Sequence, residues 1–336
     1  MKSGIGLWKK PRDYLTLKKE ISELEQKCSH CILEEHNRLM NKILVIGSSN
    51  LDTNYYVPVL PKPGESVHCV SKRVSSLGGK GLNQAVAAAR AGGDVTFLTC
   101  IGNDHDGSLI EQELRKEKMS LCLNKVDMPS GIATILVEES GENEVIVDSG
   151  ANAALSTKVL EKNIDLFKAC SFILLQNEMP FSTNEWVLKN YGKKKRILYN
   201  PSPLCNISED LYQYVSTLVV NELEVKTLMG MIDAIKASKR ILSLGTKKVL
   251  LTLGKNGSVL LSKDKEIHVP ASKIEIADTV GAGDTYAGYY TASISKGYSE
   301  LVSMSIASLA AAISVTKKGA FASIPTLDEL FEYLHK

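Results

Sequence analysis

The sequence predicts an α/β fold, with a mainly parallel central sheet covered by helices on both faces and a small separate β-sheet beside it. Three observations carry the prediction. Short apolar runs rich in β-formers recur from Ile43 onward, amphipathic or alanine-rich segments lie between several of them, and two stretches break this rhythm and read as antiparallel strands. Runs apolar at every position suit strands buried on both faces, as in parallel sheets. Their alternation with helices places ligands at the carboxyl ends of the strands.

Strands are expected, in chain order, at Ile43–Ile46, Val95–Cys100, Phe172–Leu175, Ile197–Tyr199, Thr217–Val220 and Val249–Leu253. Helices are expected at Asn83–Ala91, Gly107–Lys118, Thr227–Leu244 and Tyr286–Ser295. The interruptions at about 52–77 and 133–148, the second around the turn Ser140-Gly141-Glu142-Asn143, are expected to form a lid outside the main sheet. Residues 1–41 stand apart as a helical or disordered N-terminal extension, charged and without the strand and glycine-turn rhythm. Leu17, Ile21, Leu24, Cys28 and Cys31 would share one face of a helix there, a stripe too short for a coiled coil. Cys28-Ser29-His30-Cys31 has the look of half a zinc site, but no second Cys/His pair follows at finger spacing, so a helical appendage is the expectation.

Composition excludes several classes of function. The 336 residues, 44% of them hydrophobic, can bury the core of one large α/β domain with an appendage. Forty basic against thirty-eight acidic side chains give a formal charge of +2, far from the basic excess of a nucleic-acid binder. Seven cysteines, odd in number and mostly in apolar contexts, argue against a disulfide framework and for a reducing compartment. No apolar run approaches the roughly 20 residues of a membrane span, and the charged N-terminus holds no signal-peptide core. A cytoplasmic protein that touches neither membrane nor nucleic acid is expected.

The most informative motif is Asp278-Thr279-Val280-Gly281-Ala282-Gly283-Asp284-Thr285, a glycine-rich turn entering a helix. Such a turn presents backbone N–H groups at a helix N-terminus, where an anion is favoured, and sets a carboxylate beside it. That is the layout of a phosphoryl-transfer site. Gly78-Gly79-Lys80-Gly81-Leu82-Asn83-Gln84-Ala85 also opens a helix and is neither a Walker A loop nor a dinucleotide fingerprint. It suits close backbone approach to a ligand, or simply a tight strand-to-helix turn. Asn50 and Asp52 follow the first strand, where an amide and a carboxylate could hold neighbouring hydroxyls, although both are ordinary turn residues. Glu178 reads equally as a ligand group or a solvated loop carboxylate. Asn221-Glu222-Leu223-Glu224 could place Glu224 near metal-bound water, with capping alone enough to explain Asn221. Thr252-Leu253-Gly254-Lys255-Asn256-Gly257 also reads as a plain hairpin turn, since Asn-Gly is the strongest short hairpin signal.

From about Lys42 to the C-terminus, these two glycine motifs in this order resemble those of the ribokinase-like, or PfkB-type, family of carbohydrate and nucleoside kinases. The match to its ribose-phosphorylating members extends to Asn50-Leu51-Asp52, Gln176-Asn177-Glu178 and Val315-Thr316-Lys317-Lys318-Gly319-Ala320. The resemblance implies a three-layer α/β/α kinase domain over 42–336 with a β-sheet lid. It implies transfer of the ATP γ-phosphoryl group to the 5-hydroxyl of D-ribose, with Asp284 as general base and the amides of Gly281, Ala282 and Gly283 as anion hole. Asn50, Asp52, Gly78, Gly79, Lys80, Asn83 and Glu178 would line the sugar pocket, with Asp284 at its inner end. Asn221, Thr252, Leu253, Gly254, Lys255, Asn256, Gly257, Gly283 and Ser308 would contact ATP, and Glu224 would orient Mg²⁺. A potassium ion beside the anion hole would take ligands from Asp278, Val280, Ser314, Lys317, Gly319 and Ser323. The lid edge would pair with a second copy in a homodimer. Deoxyribose, another sugar or a nucleoside is the alternative substrate. A non-catalytic sugar sensor is the alternative function, and it would not need Asp284, Glu224 and both glycine motifs intact.

Overall fold

The computed structural model describes residues 41–138, 143–272 and 274–335. The expected N-terminal extension up to residue 40, its apolar stripe and its Cys-Ser-His-Cys run lie outside the described residues, as do Ser140, Gly141 and Glu142.

Among the described residues thirteen strands form two sheets: β1 (Ile43–Ile46), β2 (Asn50–Val57), β3 (Val74–Gly78), β4 (Val95–Gly102), β5 (Ser120–Val126), β6 (Gly131–Glu138), β7 (Asn143–Asp148), β8 (Phe172–Leu175), β9 (Arg196–Tyr199), β10 (Thr217–Asn221), β11 (Lys248–Thr252), β12 (Ser258–Ser262) and β13 (Glu266–Val269). The helices are α1 (Lys80–Arg90), α2 (His105–Leu114), α3 (Thr157–Lys162), α4 (Ile164–Ala169), α5 (Phe181–Tyr191), α6 (Glu222–Met229), α7 (Ala234–Ser243), α8 (Ala282–Ser295), α9 (Glu300–Ser314) and α10 (Leu327–His335).

The main sheet runs β13-β12-β11-β10-β9-β8-β1-β4-β5, parallel throughout from β11 to β5. Its three-layer character is visible in β1 alone, where alternate side chains serve opposite layers. Ile43 and Val45 pack with Leu82 and Ala85 of α1, Tyr289 of α8 and Ala307 of α9. Leu44 and Ile46 pack with Leu160 of α3, Val187 of α5, Val225 of α6 and Ile241 of α7. Strand order reverses at β1, which sends the chain first to β4 and β5 and then back to β8, so a crevice opens at the carboxyl ends beside it.

Two expectations need correction, and one is realised with strands that were not anticipated. The helix expected at Thr227–Leu244 is two helices, because Gly230 takes a left-handed φ of 62° and ends α6, while Asp233 accepts from Lys236 N and starts α7. The Asn-Gly hairpin signal is realised, as β11 turns through it into antiparallel β12, and β12 and β13 were not anticipated. The lid, of order β3-β2-β6-β7, begins at Asn50 and ends its first half at Gly78. Each half is an antiparallel pair as expected, but β2 and β6 join the halves in parallel. The reason is directional: β2 and β6 both leave carboxyl ends of parallel strands, β1 and β5.

Candidate active site

Close backbone packing builds the first wall of the crevice. A Cβ on Gly81 would lie 2.5 Å from Ser48 N, so only glycine lets the start of α1 lie against the turn after β1. Gly79 brings no side chain to cap α1, and the acceptor comes instead from the loop after β8. Glu178 Oε2 accepts from Lys80 N at 2.8 Å and from Ser48 Oγ at 2.6 Å. Glu178 is therefore a half-buried carboxylate on a helix N-terminus, not a solvated loop residue.

Asp52, in β2, faces Gly78 of β3 so closely that a Cβ there would sit 1.8 Å from Asp52 Oδ2. Burial, and then the charge of Glu178, push the Asp52 carboxyl up to about 7, against the opposing pull of the Ala133 backbone N–H. Asp52 Oδ1 and Asn83 Oδ1 are buried acceptors that receive no hydrogen bond from the protein, a pattern that suits donor hydroxyls of a polyol. Asn50 is oriented from behind: Asn152 Nδ2 donates to Asn50 Oδ1 at 2.7 Å, and Asn152 Oδ1 accepts from Ser49 N at 2.9 Å. Lys80 gathers the carboxylates electrostatically, its ammonium held above its usual range by Asp284 first, against burial, and then by Glu178 and Glu224.

The second wall is the N-terminus of α8. Gly281 precedes the helix with φ 76°, and a Cβ there would come within 2.8 Å of Ala320 Cβ. Asp284 stands in the first turn, 6% exposed, with Oδ1 accepting from Gln84 Nε2 at 2.8 Å. First-turn amides lack intrahelical acceptors, and the side of Gly283 is open, with no atom within 4 Å of where a Cβ would be. Of the three expected anion-hole amides, Ala282 N–H already makes a long bond of 3.3 Å to Thr279 O.

The segments 277–281 and 315–320 are laced together. Asp278 accepts from Val280 N at 3.0 Å and Gly319 N at 2.9 Å, while Ala277 N and Asp278 N both donate to Val315 O. Ser314 and Ser323 donate their hydroxyls to the backbone at Ala311 and Ala320, and Lys317 pairs with Glu329. The expected cation ligands thus cluster around one pair of loops.

On the other side of the crevice, Asn221 and Glu224 form a reciprocal capping box at the start of α6, at 2.8 and 2.9 Å. Capping therefore explains both residues locally, and it occupies Glu224 Oε2 while leaving Oε1. Thr252 ends β11, and Leu253 N donates to Gly257 O across the turn that exposes Gly254, Lys255 and Asn256. Ser308 is nine-tenths buried in α9 with its hydroxyl 3.5 Å from Pro270 O. Among the described residues no three His, Cys, Asp or Glu side chains converge as a metal cage. The donor set suits Mg²⁺, which keeps its waters and uses one or two carboxylates with substrate phosphates.

The sequence reading missed Gln84, Gln176 and Asn200, which join Asp284 in one buried amide network, and also Ser48 and Asn152. Gln84 and Gln176 sit inside motifs of the family resemblance, but the role of all five depends on distant partners.

Residues 40–327 match the family model described as pfkB family carbohydrate kinase. The chain belongs to that family. This pfkB kinase is 35% identical over 308 residues to the ribokinase of Haemophilus influenzae, which covers 88% of this chain and 99% of that protein. It is 33% identical over 302 residues to the deoxyribokinase of Salmonella typhi, covering 87% of this chain and 98% of that one. Its structure resembles Arabidopsis thaliana ribokinase complexed with ribose and ATP, with a TM-score of 0.80, 26% identity, and 88% and 99% of the two chains covered. As in the sequence, the family match excludes most of residues 1–41. Among the described residues no helix is long and apolar enough to cross a membrane.

Proposed function

We propose that this pfkB kinase is a ribokinase, transferring the γ-phosphoryl group of ATP to the 5-hydroxyl of D-ribose to give ribose 5-phosphate and ADP. The observation that carries the reading is the meeting, in one crevice, of a buried carboxylate at a helix N-terminus and a set of inward polar acceptors. Asp284 has one oxygen tied to Gln84 and the other left to take the proton of the attacking hydroxyl. The amides of Gly281, Ala282 and Gly283 receive charge that develops on the transferring group, a preorganised contribution that is usually large. Ala282 supplies its part once its long bond to Thr279 yields. Asn50, Asp52, Gly78, Gly79, Asn83 and Glu178 hold the sugar, and Lys80 balances the carboxylates around it.

Asn221, Thr252 and residues 253–257, with Ser308 behind them, form the nucleotide side. Glu224 Oε1 is the carboxylate oxygen that would orient Mg²⁺ through water, and the metal supplies neutralising charge to the phosphates. The carbonyl-rich loops carrying Asp278, Val280, Ser314, Lys317, Gly319 and Ser323 would hold a potassium ion that orders the anion-hole turn. The lid sheet exposes Val74, Val145, Ile146 and Val147, which supports a homodimer through that sheet. All five described cysteines are free thiols, in keeping with a cytoplasmic location.

The test is an ATP-consumption screen over ribose, 2-deoxyribose, fructose and adenosine. Ribose is expected to give the highest kcat/KM, because a site built to bond a hydroxyl rejects the analogue lacking it. A higher value for deoxyribose or adenosine overturns the substrate assignment while leaving the kinase. No turnover with any of the four leaves neither.

A further inference from the structure

We infer that Gln84 is a positioning residue for Asp284, held for that task by the carboxyl ends of β8 and β9. The inference rests on the reading of Asp284 as the base. Gln84 and Gln176 are fully buried, Asn200 is 9% exposed and Asp284 6%, so water does not substitute for their bonds.

The polarity of the network is dictated from one end. Asn200 Nδ2 donates to Val219 O at 2.9 Å, and a carbonyl only accepts. Asn200 therefore turns its oxygen to Gln84, which must present its NH₂ there, at 3.1 Å. The same NH₂ reaches Asp284 Oδ1 at 2.8 Å. Gln84 Oε1 is then left facing Gln176, whose Nε2 donates to it at 2.8 Å. Gly47 makes room for this end of the chain, since a Cβ there would lie 2.0 Å from Gln176 Oε1.

Two strand ends and a carbonyl of β10 thus determine which face of one side-chain amide meets the base. A donor on Oδ1 fixes the plane of the Asp284 carboxylate and reserves Oδ2 for the substrate hydroxyl. Geometry of this kind matters because misplacing a reacting group by about 1 Å can cost roughly 10²-fold. Gln84 itself is given no contact with substrate or nucleotide. Its effect on turnover passes wholly through Asp284.

The test is a double-mutant cycle between Gln84→Met and Asp284→Asn in the full chain, read as kcat and as KM for ribose and ATP. Gln84→Met is expected to lower kcat by roughly ten- to a hundredfold and to leave both KM values within about threefold. In the Asp284→Asn background it is expected to lower the residual turnover no further. A double variant that loses the product of the two single factors overturns the inference, as does Gln84→Met with more than half the normal kcat. Near-normal turnover in Asp284→Asn alone overturns the assignment of the base instead, which keeps the two failures apart. If Gln84→Met does not fold, Gln176→Leu frees the far end of Gln84 without touching Asp284. The same cycle with that variant decides the question on the same non-additivity.

Discussion

Asn152 donates its side-chain amide to Asn50 Oδ1 at 2.7 Å from 102 residues further along the chain. Because Asn152 Oδ1 is claimed by Ser49 N–H at 2.9 Å, its NH₂ has no choice but to face Asn50. Asn50 therefore keeps its own NH₂ as a donor for a ligand oxygen. Asn152→Asp replaces the donor with an acceptor and reverses the Asn50 amide. The KM for the sugar should rise by roughly tenfold, equivalent to about 1.4 kcal/mol, with the KM for ATP unchanged. Steady-state kinetics in both substrates check this, and an equal rise in the two KM values counts against it.

Asp284→Asn keeps the oxygen that accepts from Gln84 and removes the basic one. Turnover should fall by about 10² to 10⁴, and ribose should bind with near-normal affinity by calorimetry. A loss confined to binding would place Asp284 in the sugar pocket rather than at the proton.

Asp52 predicts a pH dependence of stability. Its carboxyl is raised in the fold from 3.8 to about 7, so between these values the folded chain keeps a proton that the unfolded chain has lost. Its contribution is fully present below about pH 4 and is lost as the pH climbs to about 7. Asp52→Asn does not titrate, so its Tm minus that of the native chain should grow across this window and level off above it. Parallel melting curves from pH 4 to 8 test the point, and a constant difference contradicts it.

The two glycines of the α8 turn should fail differently. Gly281→Ala forces a left-handed alanine against Ala320. The conformation alone costs about 1–2 kcal/mol, so Tm should drop. Gly283→Ala meets no atom within 4 Å and should leave Tm intact, while its methyl group crowds the anion site and lowers kcat. Thermal melts beside kinetics separate the pair.

Exchanging sodium for potassium at fixed ionic strength should raise turnover, because the laced loops 277–281 and 315–320 support the turn proposed as the anion hole. Equal rates in the two salts would remove the cation from the mechanism.

The main sheet was legible because its parallel strands are buried on both faces, so Ile43–Ile46 or Phe172–Leu175 announce themselves without a partner. β5 was not, since Ser120–Val126 is an edge strand whose residues are mostly half-exposed and whose short apolar run, Leu121–Leu123, is flanked by polar residues. The helix boundary at Gly230 was written in the sequence but was outweighed by the apolar periodicity on either side of it.

The chain by itself determined the two glycine motifs, the carboxylates beside them and the alternation of buried strands with helices, because each depends on local backbone freedom or on side-chain periodicity. Tertiary structure alone decided what those groups face. Glu178 became a helix-capping carboxylate because β8 ends beside α1, and Asp52 became a proton-retaining acid because β2 buries it against Gly78 near Glu178. Gln84, Gln176 and Asn200 acquired a direction only because Val219 O fixes one end of their hydrogen-bond chain. Hydrogen-bond polarity and burial are properties of neighbours, and the partners of Gln84 lie 92 to 200 residues from it in the chain.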